Sequence, residues 1–266
     1  MITRVSWHDL PAELRCLIEK EAGAFAREEH VGSGRNCLVG MVMHTARDRY
    51  FLKGVPADHK RAVWTQANEA MINSTVRDLS APLLFHVEAA GWDVLGFGYL
   101  DGHRHADLSP GSPDLPKIAD MLRALADLPT PAGVNLRTMP DRFAKYAGDR
   151  AYLLAGDTIA HTDTQAHNIL IGPSARLVDW AWPTLGAAWI DTAGVALHMI
   201  RSGHHPKDAE RWGQDVPAFA AAPDEAVSAF VSANSVLWTE ISGADPEPWK
   251  AEVARAARRW AEHRGA

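Results

Sequence analysis

The sequence predicts an α+β fold, in which a small antiparallel sheet precedes a larger and mainly helical region. Apolar runs separated by turn signals occupy most of residues 39–100, a pattern typical of strands joined by hairpins. After residue 112 the apolar residues recur at helical spacing instead, and prolines and glycines separate the segments. A chain of 266 residues can form one large domain or two lobes, and it can bury a sizeable core.

The composition limits the classes of partner. A net charge of −6 argues against nucleic acid or an anionic membrane as the main partner. Two cysteines, Cys16 and Cys37, do not indicate a disulfide framework or a cysteine-based zinc site. The sequence has no apolar run long enough to span a bilayer, and its first residues lack the apolar core of a signal peptide. These features predict a cytoplasmic protein.

Individual elements follow from the apolar periodicity. Strands are predicted from Tyr50 to Gly54, from Leu83 to Glu88, from Trp92 to Leu100 and from Thr158 to Ala160. Helices are predicted over residues 9–29, 60–76, 112–128 and 139–154, in several segments after residue 202, and over residues 249–264.

The central stretch of the chain is the run from His161 to Trp180. It supplies a carboxylate (Asp163), an amide (Asn168) and a second carboxylate (Asp179) among short apolar runs. Phosphoryl transfer from a magnesium nucleotide needs such a trio, since one carboxylate orients the acceptor hydroxyl while the amide and the other carboxylate hold the metal. A hairpin is predicted after Asn168, and it places Asn168 and Asp179 at the same end, with Asp163 in the preceding loop. The working hypothesis is therefore a kinase.

Two upstream features match this hypothesis. Lys53 is the only charge in the strand Tyr50–Gly54, and Glu69 lies in the helix that follows. A strand lysine paired with a helix glutamate is how kinases hold the lysine against nucleotide phosphates, although both residues can also be ordinary surface charges. The glycine-rich turn that contains Gly34 suits either a close backbone approach to an anion or a plain hairpin turn.

Other interpretations of the central stretch stay open. His161, Asp163 and His167 have the close spacing of metal ligands, which would suit a zinc hydrolase. His161 is otherwise expected to orient the loop by bonding to the backbone or to a neighbouring carboxylate. Asp191 begins an apolar helix, so it is expected to cap that helix, with bracing of the catalytic loop as the alternative.

Taken together, the motifs resemble the aminoglycoside phosphotransferase and choline kinase-like family, whose members share the two-lobed protein kinase-like fold. The resemblance covers roughly residues 30–195, in the family's order. The chain departs from the usual pattern at Thr162, at Thr164–His167 and at Ala181, where the family commonly has Gly, Leu-His-Pro-Gly and an acidic residue. The matching positions are Gly34, Arg35, Asn36, Lys53, Glu69, His161, Asp163, Asn168, Val178, Asp179, Trp180, Gly186 and Asp191.

The resemblance implies a role for each candidate site residue. Asp163 would be the catalytic base, and Asn168 and Asp179 would bind Mg²⁺. Lys53, supported by Glu69, would contact the phosphates of ATP or GTP, and the turn with Gly34 and Asn36 would belong to the nucleotide site. Residues 1–100 would form the nucleotide-binding lobe and residues 101–266 the catalytic and acceptor-binding lobe.

The expected reaction transfers a γ-phosphate to a hydroxyl of a small molecule. The acceptor would be an aminoglycoside or another antibiotic, with resistance as the result, or else a metabolite such as an amino alcohol or a sugar. Acidic side chains are frequent in residues 207–250, which suits a cationic acceptor or simply a solvated surface. The alternative from another class is a regulatory pseudokinase that binds nucleotide without transferring phosphate.

Overall fold

The computed structural model describes residues 4–31, 37–131 and 134–265. The chain divides into two compact units. The first ends at His103 and also takes in Asp179–Ala181, while the second comprises Arg104–Val178 and the chain from Trp182 onward. The predicted functions of the two lobes, nucleotide binding and catalysis, stay predictions.

The first unit contains a five-stranded antiparallel sheet with the order β1-β2-β3-β5-β4. The two strand pairs β2–β3 and β4–β5 are hairpins, as the turn signals predicted. The strands are β1 (Phe25–His30), β2 (Val39–Thr45), β3 (Arg49–Pro56), β4 (Leu83–Ala89) and β5 (Trp92–Gly98), and the helices are α1 (Ala12–Ala22) and α2 (Lys60–Val76).

Alternation along the strands gives this sheet two different faces. Leu52 and Phe85 belong to an apolar core that they share with Leu14 and Ile18 of α1. Since successive side chains of a strand point to opposite faces, Lys53 lies on the other face, where it contacts Glu69 of α2. The face that carries α2 is therefore the one that carries the polar groups.

The helix predicted over residues 9–29 is wrong in its second half. Helix α1 ends at Ala22, and Gly23 follows with φ of +95° and donates its N–H to the carbonyl of Glu19. This conformation is accessible to glycine and turns the chain out of the helix. Phe25–His30 then forms an edge strand paired with β2. The charges of this segment, which looked helical, instead suit an exposed sheet edge.

The second unit contains two small three-stranded sheets, with the orders β10-β9-β6 and β7-β11-β8. The predicted hairpin after Asn168 is present, because β9 and β10 pair antiparallel. The strands are β6 (Arg104–His105), β7 (Arg137–Thr138), β8 (Thr158–Ala160), β9 (Ile169–Ile171), β10 (Ala175–Leu177) and β11 (Thr184–Gly186).

Helices make up most of the second unit. The helix predicted over residues 139–154 is α-helical only to Ala147, since Gly148 adopts a φ of +54° and a 3-10 segment continues to Leu154. The helices are α3 (Leu115–Ala126), α4 (Met139–Ala147), α5 (Ile190–Arg201), α6 (Pro206–Gly213), α7 (Pro217–Ala220), α8 (Asp224–Ala244) and α9 (Pro248–Arg264).

The C-terminal helix is amphipathic, as predicted. Val253, Ala256 and Trp260 of α9 are buried at helical spacing. Trp260 also donates its indole N–H to Glu210 Oε1 at 2.6 Å, which satisfies its only polar atom. Among the described helices, none combines the length and the hydrophobicity needed to cross a bilayer.

Candidate active site

Three of the predicted site residues form one cluster in the first unit. Lys53 Nζ lies 2.6 Å from Glu69 Oε2 and 2.5 Å from Asp179 Oδ1. The backbone N–H of Trp180 donates to the second oxygen of Glu69 at 3.3 Å. Both oxygens of the glutamate are thus engaged, and Lys53 is held from two sides. The strand–helix ion pair expected from the sequence is present.

This cluster brings one lysine and two carboxylates together. Lys53 is only 7% exposed and Glu69 4%, so both are withdrawn from water. Burial alone would lower the pKa of Lys53, but the carboxylates of Glu69 and Asp179 outweigh it and raise that pKa above its ordinary value. Burial raises the pKa of Glu69, with the nearby Asp179 charge adding to it against the attraction of Lys53. One cation thus faces two carboxylates.

Asp179 has a strained backbone. Its φ is +66°, in the left-handed region that residues other than glycine seldom occupy. Aspartate is among the residues that tolerate this conformation best, and such outliers concentrate at functional sites. The conformation is held by the ion pair with Lys53 on one side and by the Trp180–Glu69 hydrogen bond of the next residue on the other.

The loop that contains Asp163 belongs to the second unit and is fixed by short-range hydrogen bonds. Asp163 Oδ1 accepts from the side-chain amide of Gln165 at 3.0 Å. The Asp163 carbonyl accepts from Asn168 Nδ2 at 2.9 Å, so the predicted amide ligand braces the loop through its nitrogen and leaves its side-chain oxygen for another partner. Asn168 is 3% exposed and ends the 3-10 turn before β9.

His161 orients this loop, as expected from the sequence. Its Nδ1 lies 3.2 Å from the backbone N–H of Asp163, and its Nε2 lies 2.9 Å from the carbonyl of Val178. An acceptor at Nδ1 and a donor at Nε2 correspond to the neutral tautomer protonated on Nε2. Because both ring nitrogens are engaged, His161 does not offer a lone pair to a metal, which weakens the zinc-hydrolase interpretation.

Asp191 braces the loop that precedes Asp163 and does not cap its own helix. Its carboxylate accepts from the backbone N–H of His161 at 2.7 Å and from that of Thr162 at 2.9 Å. The N-cap residue of helix α5 makes no side-chain hydrogen bond to the helix. The capping role that the sequence predicted for Asp191 is therefore wrong. Burial raises the pKa of Asp191, whereas the two N–H donors favour its charged form.

In the family that the sequence resembles, the position of Thr162 is commonly glycine. The backbone conformation at Thr162 explains why glycine is preferred there. Its φ is +68°, again in the left-handed region. A β-branched residue there is strained and needs outside support. The support comes from the N–H bond to Asp191 and from the Thr162 hydroxyl, which donates to the carbonyl of Trp182 at 3.1 Å.

Two further residues near Asp163 were not found by sequence reasoning. Gln165, 7% exposed, binds the Asp163 carboxylate directly. Arg142 of α4 donates to the Trp182 carbonyl at 3.2 Å and to Thr184 Oγ1 at 3.0 Å, and burial lowers its pKa to about 10. The departure of Gln165 from the family's pattern was a signal in the sequence that this position deserved a closer look. Arg142 lies in an ordinary helical pattern, so the sequence contained no signal for it.

Two predicted residues, Gly34 and Asn36, lie outside the described residues. The others fall into two groups: Lys53, Glu69 and Asp179 in the first unit, and Asp163 and Asn168 in the second. Within the second unit, the N–H of Val178 donates to the Asn168 carbonyl at 2.9 Å, which extends the β9–β10 pairing by one step. The predicted meeting of the Asn168 and Asp179 side chains stays a prediction.

The fold is that of known small-molecule kinases. No protein-family model and no curated protein matches the sequence. Choline kinase LicA from Streptococcus pneumoniae superposes with a TM-score of 0.58 at 14% identity, over 94% of this chain and 100% of that one. The GDP complex of aminoglycoside 2'-phosphotransferase-IIIa gives a TM-score of 0.61 at 13% identity, over 90% and 94% of the two chains.

A third similar structure is aminoglycoside phosphotransferase APH(3'')-Id from Streptomyces rimosus in complex with ADP and streptomycin. Its TM-score is 0.56 at 16% identity, and the match covers 84% of this chain and 98% of that one. These similarities confirm the fold class that the sequence predicted, an antiparallel sheet lobe followed by a helical lobe.

Proposed function

We propose that this chain is a small-molecule kinase that transfers the γ-phosphate of ATP or GTP to a hydroxyl group. The observation that carries the proposal is the buried cluster of Lys53, Glu69 and Asp179. Burying the ion pair of Lys53 and Glu69 is unfavourable unless its remaining atoms are hydrogen-bonded, and Asp179 and the Trp180 N–H supply those bonds. A fold that holds a buried lysine charged beside a strained and part-exposed aspartate is suited to a phosphate that arrives with its metal cation.

The residues present fit Mg²⁺ in chemical type. Asp179, whose side chain is 31% exposed, supplies carboxylate oxygen, and Asn168 has an amide oxygen left after its nitrogen binds the loop. Hard oxygen ligands of this kind are those that Mg²⁺ takes together with nucleotide phosphates. When bound, Mg²⁺ would neutralise charge on the phosphates. The part-exposed carboxylate of Asp179 beside Lys53 is the observation that supports this assignment.

The remaining roles belong to the chain's own residues. Lys53, held charged by two carboxylates, would bind a phosphate oxygen of the donor, and Gly34 and Asn36 would contribute to the same nucleotide site. Asp163, held by Gln165 and by the loop, would accept the proton of the acceptor hydroxyl while the oxygen of that hydroxyl forms its bond to the γ-phosphorus. The bond from that phosphorus to the nucleoside diphosphate breaks, and the diphosphate leaves.

The acceptor is proposed from the similar structures and from charge. LicA is a choline kinase, and one phosphotransferase structure contains streptomycin. A cationic small molecule suits a chain with a net charge of −6. We therefore propose an aminoglycoside or another antibiotic as acceptor, with an amino alcohol or a sugar as the alternatives.

The test is ADP or GDP release over a panel of aminoglycosides, peptide antibiotics, amino alcohols and sugars, each with Mg²⁺ and either nucleotide. The proposal predicts release above the acceptor-free rate with at least one hydroxyl compound, and mass spectrometry should show that compound heavier by one phosphoryl group. Tight magnesium–nucleotide binding without transfer to any acceptor would instead identify a regulatory pseudokinase. Phosphorylation of a peptide hydroxyl alone would indicate a protein kinase.

A further inference from the structure

A second polar cluster lies in the first unit, on residues that the proposed kinase reaction does not use. His86 and Glu88 are two positions apart on β4, so their side chains leave the same face of the sheet. Asp93 of β5 lies directly opposite Glu88 in the strand register. The register therefore brings one imidazole and two carboxylates together on the face that carries α2.

The distances within this cluster suit a metal ion. His86 Nε2 lies 3.0 Å from Asp93 Oδ1 and 3.6 Å from Glu88 Oε1, and the three ligand atoms all lie within 4.8 Å of one another. Zinc bonds to nitrogen and oxygen are about 2.0–2.2 Å long, which places tetrahedral ligand atoms about 3.4 Å apart. The two distances measured from His86 lie on either side of that value.

An independent observation concerns Gln66 of α2. It is 1% exposed, and its Nε2 donates to Asp93 Oδ1 at 2.6 Å and to the Asp93 carbonyl at 3.1 Å. Its Oε1 is fully buried and has no hydrogen-bond partner within the described part of the chain. A buried carbonyl oxygen without a donor is unfavourable by about 1–3 kcal/mol. The carboxamide keeps this orientation with its nitrogen bonded to Asp93, so Gln66 holds the Asp93 carboxylate in place beside His86.

We propose that His86, Glu88 and Asp93 form a binding site for a divalent transition metal of the zinc type, with water as the fourth ligand and with Gln66 holding Asp93 through its side-chain N–H. An imidazole combined with carboxylate oxygens suits Zn²⁺ and similar ions, whereas Mg²⁺ takes oxygen ligands. The Gln66 N–H bond to Asp93 Oδ1 orients a ligating carboxylate, as hydrogen bonds to metal-binding carboxylates commonly do.

The place of this site in the fold gives it a consequence. Gln66 precedes Glu69 by three residues on α2, which is nearly one helical turn. Asp93 pairs with Val55, two residues beyond Lys53 on β3. A bound ion would hold Asp93, and the Gln66–Asp93 hydrogen bond would then tie α2 to the sheet beside the Lys53–Glu69 ion pair. The site is structural or regulatory, since none of its ligands is assigned to phosphoryl transfer.

The test is calorimetric titration of the full chain with Zn²⁺ alone, without nucleotide or Mg²⁺. Wild type should bind one equivalent at a site that His86→Ala abolishes and that Glu88→Gln weakens by at least about tenfold. Titration with Co²⁺ should give visible absorption bands of a four-coordinate ion in wild type and not in His86→Ala. The His86 and Glu88 side chains are 32% and 72% exposed, so both variants should fold, which circular dichroism checks.

The matched control is His263→Ala, which removes another exposed histidine, one whose ring lies 5.6 Å from that of His205. This variant should keep the site. The proposal is overturned if His86→Ala binds Zn²⁺ as wild type does, if only His263→Ala loses binding, or if wild type binds none. In the last case the cluster is held only by the contacts of His86 and Gln66 with Asp93. Because nucleotide is absent, none of these outcomes depends on the proposed kinase reaction.

Discussion

Thr162 shows, at the scale of one residue, how a loop holds a conformation that its side chain disfavours. Its φ of +68° carries a strain of about 1–2 kcal/mol for a residue other than glycine. The hydroxyl bond to the Trp182 carbonyl and the N–H bond to Asp191 hold it in place. Strain and support thus meet at the residue immediately before Asp163.

A comparison of two threonines tests this strain. Thr162 and Thr184 both donate to the Trp182 carbonyl, but only Thr162 has a positive φ. We expect Thr162→Gly to be more stable than Thr162→Ala by about 1 kcal/mol, because only glycine relieves the strain. At Thr184 the order should reverse, with alanine the more stable. Urea denaturation measures both pairs, and the same order at both positions would contradict the strain argument.

Asp191 illustrates a buried acceptor that serves two donors. Replacing it with alanine leaves the backbone N–H groups of His161 and Thr162 buried and unpaired, at about 1–3 kcal/mol each. We therefore expect Asp191→Ala to lower the free energy of unfolding by about 2–6 kcal/mol, the sum for the two groups. Asp191→Asn should lose less, because its remaining oxygen can still accept.

The matched control is Asp208→Ala, since Asp208 also lies in the first turn of a helix but is exposed. Its effect should stay below about 1 kcal/mol, the usual range for a charge at a helix end. An Asp191→Ala variant that loses no more stability than this control would show that the loop does not depend on the carboxylate.

The candidate site was more predictable from sequence than its supporting contacts. The order Lys53, Glu69, Asp163, Asn168, Asp179 indicated its chemistry, and the structure shows the Lys53–Glu69 pair directly. The bracing by Asp191 and the contact from Gln165 depend on distances between loops, which no local pattern encodes. An aspartate at the start of a helix predicts a cap, and tertiary context gave this one another partner.

At the scale of secondary-structure elements, the sequence-based prediction was wrong where the local sequence favours one element and pairing with a distant strand favours another. The segment Phe25–His30 is charged and follows a helix, which favoured more helix, yet it pairs with β2 as an edge strand. Strand pairing is a non-local interaction that a single segment does not reveal. Strands β3, β4 and β5 were predicted correctly because apolar runs and turn residues agree there.

A salt bridge joins two elements of the second unit and makes stability depend on pH. Asp114, which precedes α3, accepts two bonds of 2.7 Å from the guanidinium of Arg104 in β6. This side-chain hydrogen bonding lowers the pKa of Asp114 against the effect of its burial. Because the folded pKa is below the unfolded value of about 3.9, the contribution is complete above that value and is lost as the pH falls.

The prediction concerns the stability difference between wild type and Asp114→Asn. It should be constant above about pH 5 and should shrink below about pH 4, as the wild-type carboxylate becomes protonated. Urea denaturation at a series of pH values measures it. In an Arg104→Ala background the same difference should depend less on pH, because the guanidinium that lowers the pKa is gone. An unchanged pH dependence there would mean that Arg104 is not the cause.

At the scale of the whole molecule, the chain's two units contribute different parts of the proposed reaction. The first holds a lysine with two carboxylates, and the second holds Asp163 in a braced loop. Asp179–Ala181 belongs to the first unit although the chain on both sides of it belongs to the second. The two-lobed fold class was predictable from the sequence. The membership of Asp179–Ala181 in the first unit was not, because it depends on tertiary contacts of Asp179.

The central claim is that Asp163 acts in phosphoryl transfer and not in holding the nucleotide. The most direct measurement compares turnover and magnesium–nucleotide affinity in wild type and Asp163→Ala, using the acceptor that supports the fastest release of nucleoside diphosphate. The exposed Asp157→Ala serves as the control for loss of a nearby carboxylate. We predict that Asp163→Ala lowers turnover by about 10²–10⁴-fold while calorimetry shows unchanged nucleotide affinity. Turnover equal to that of the control would contradict the claim.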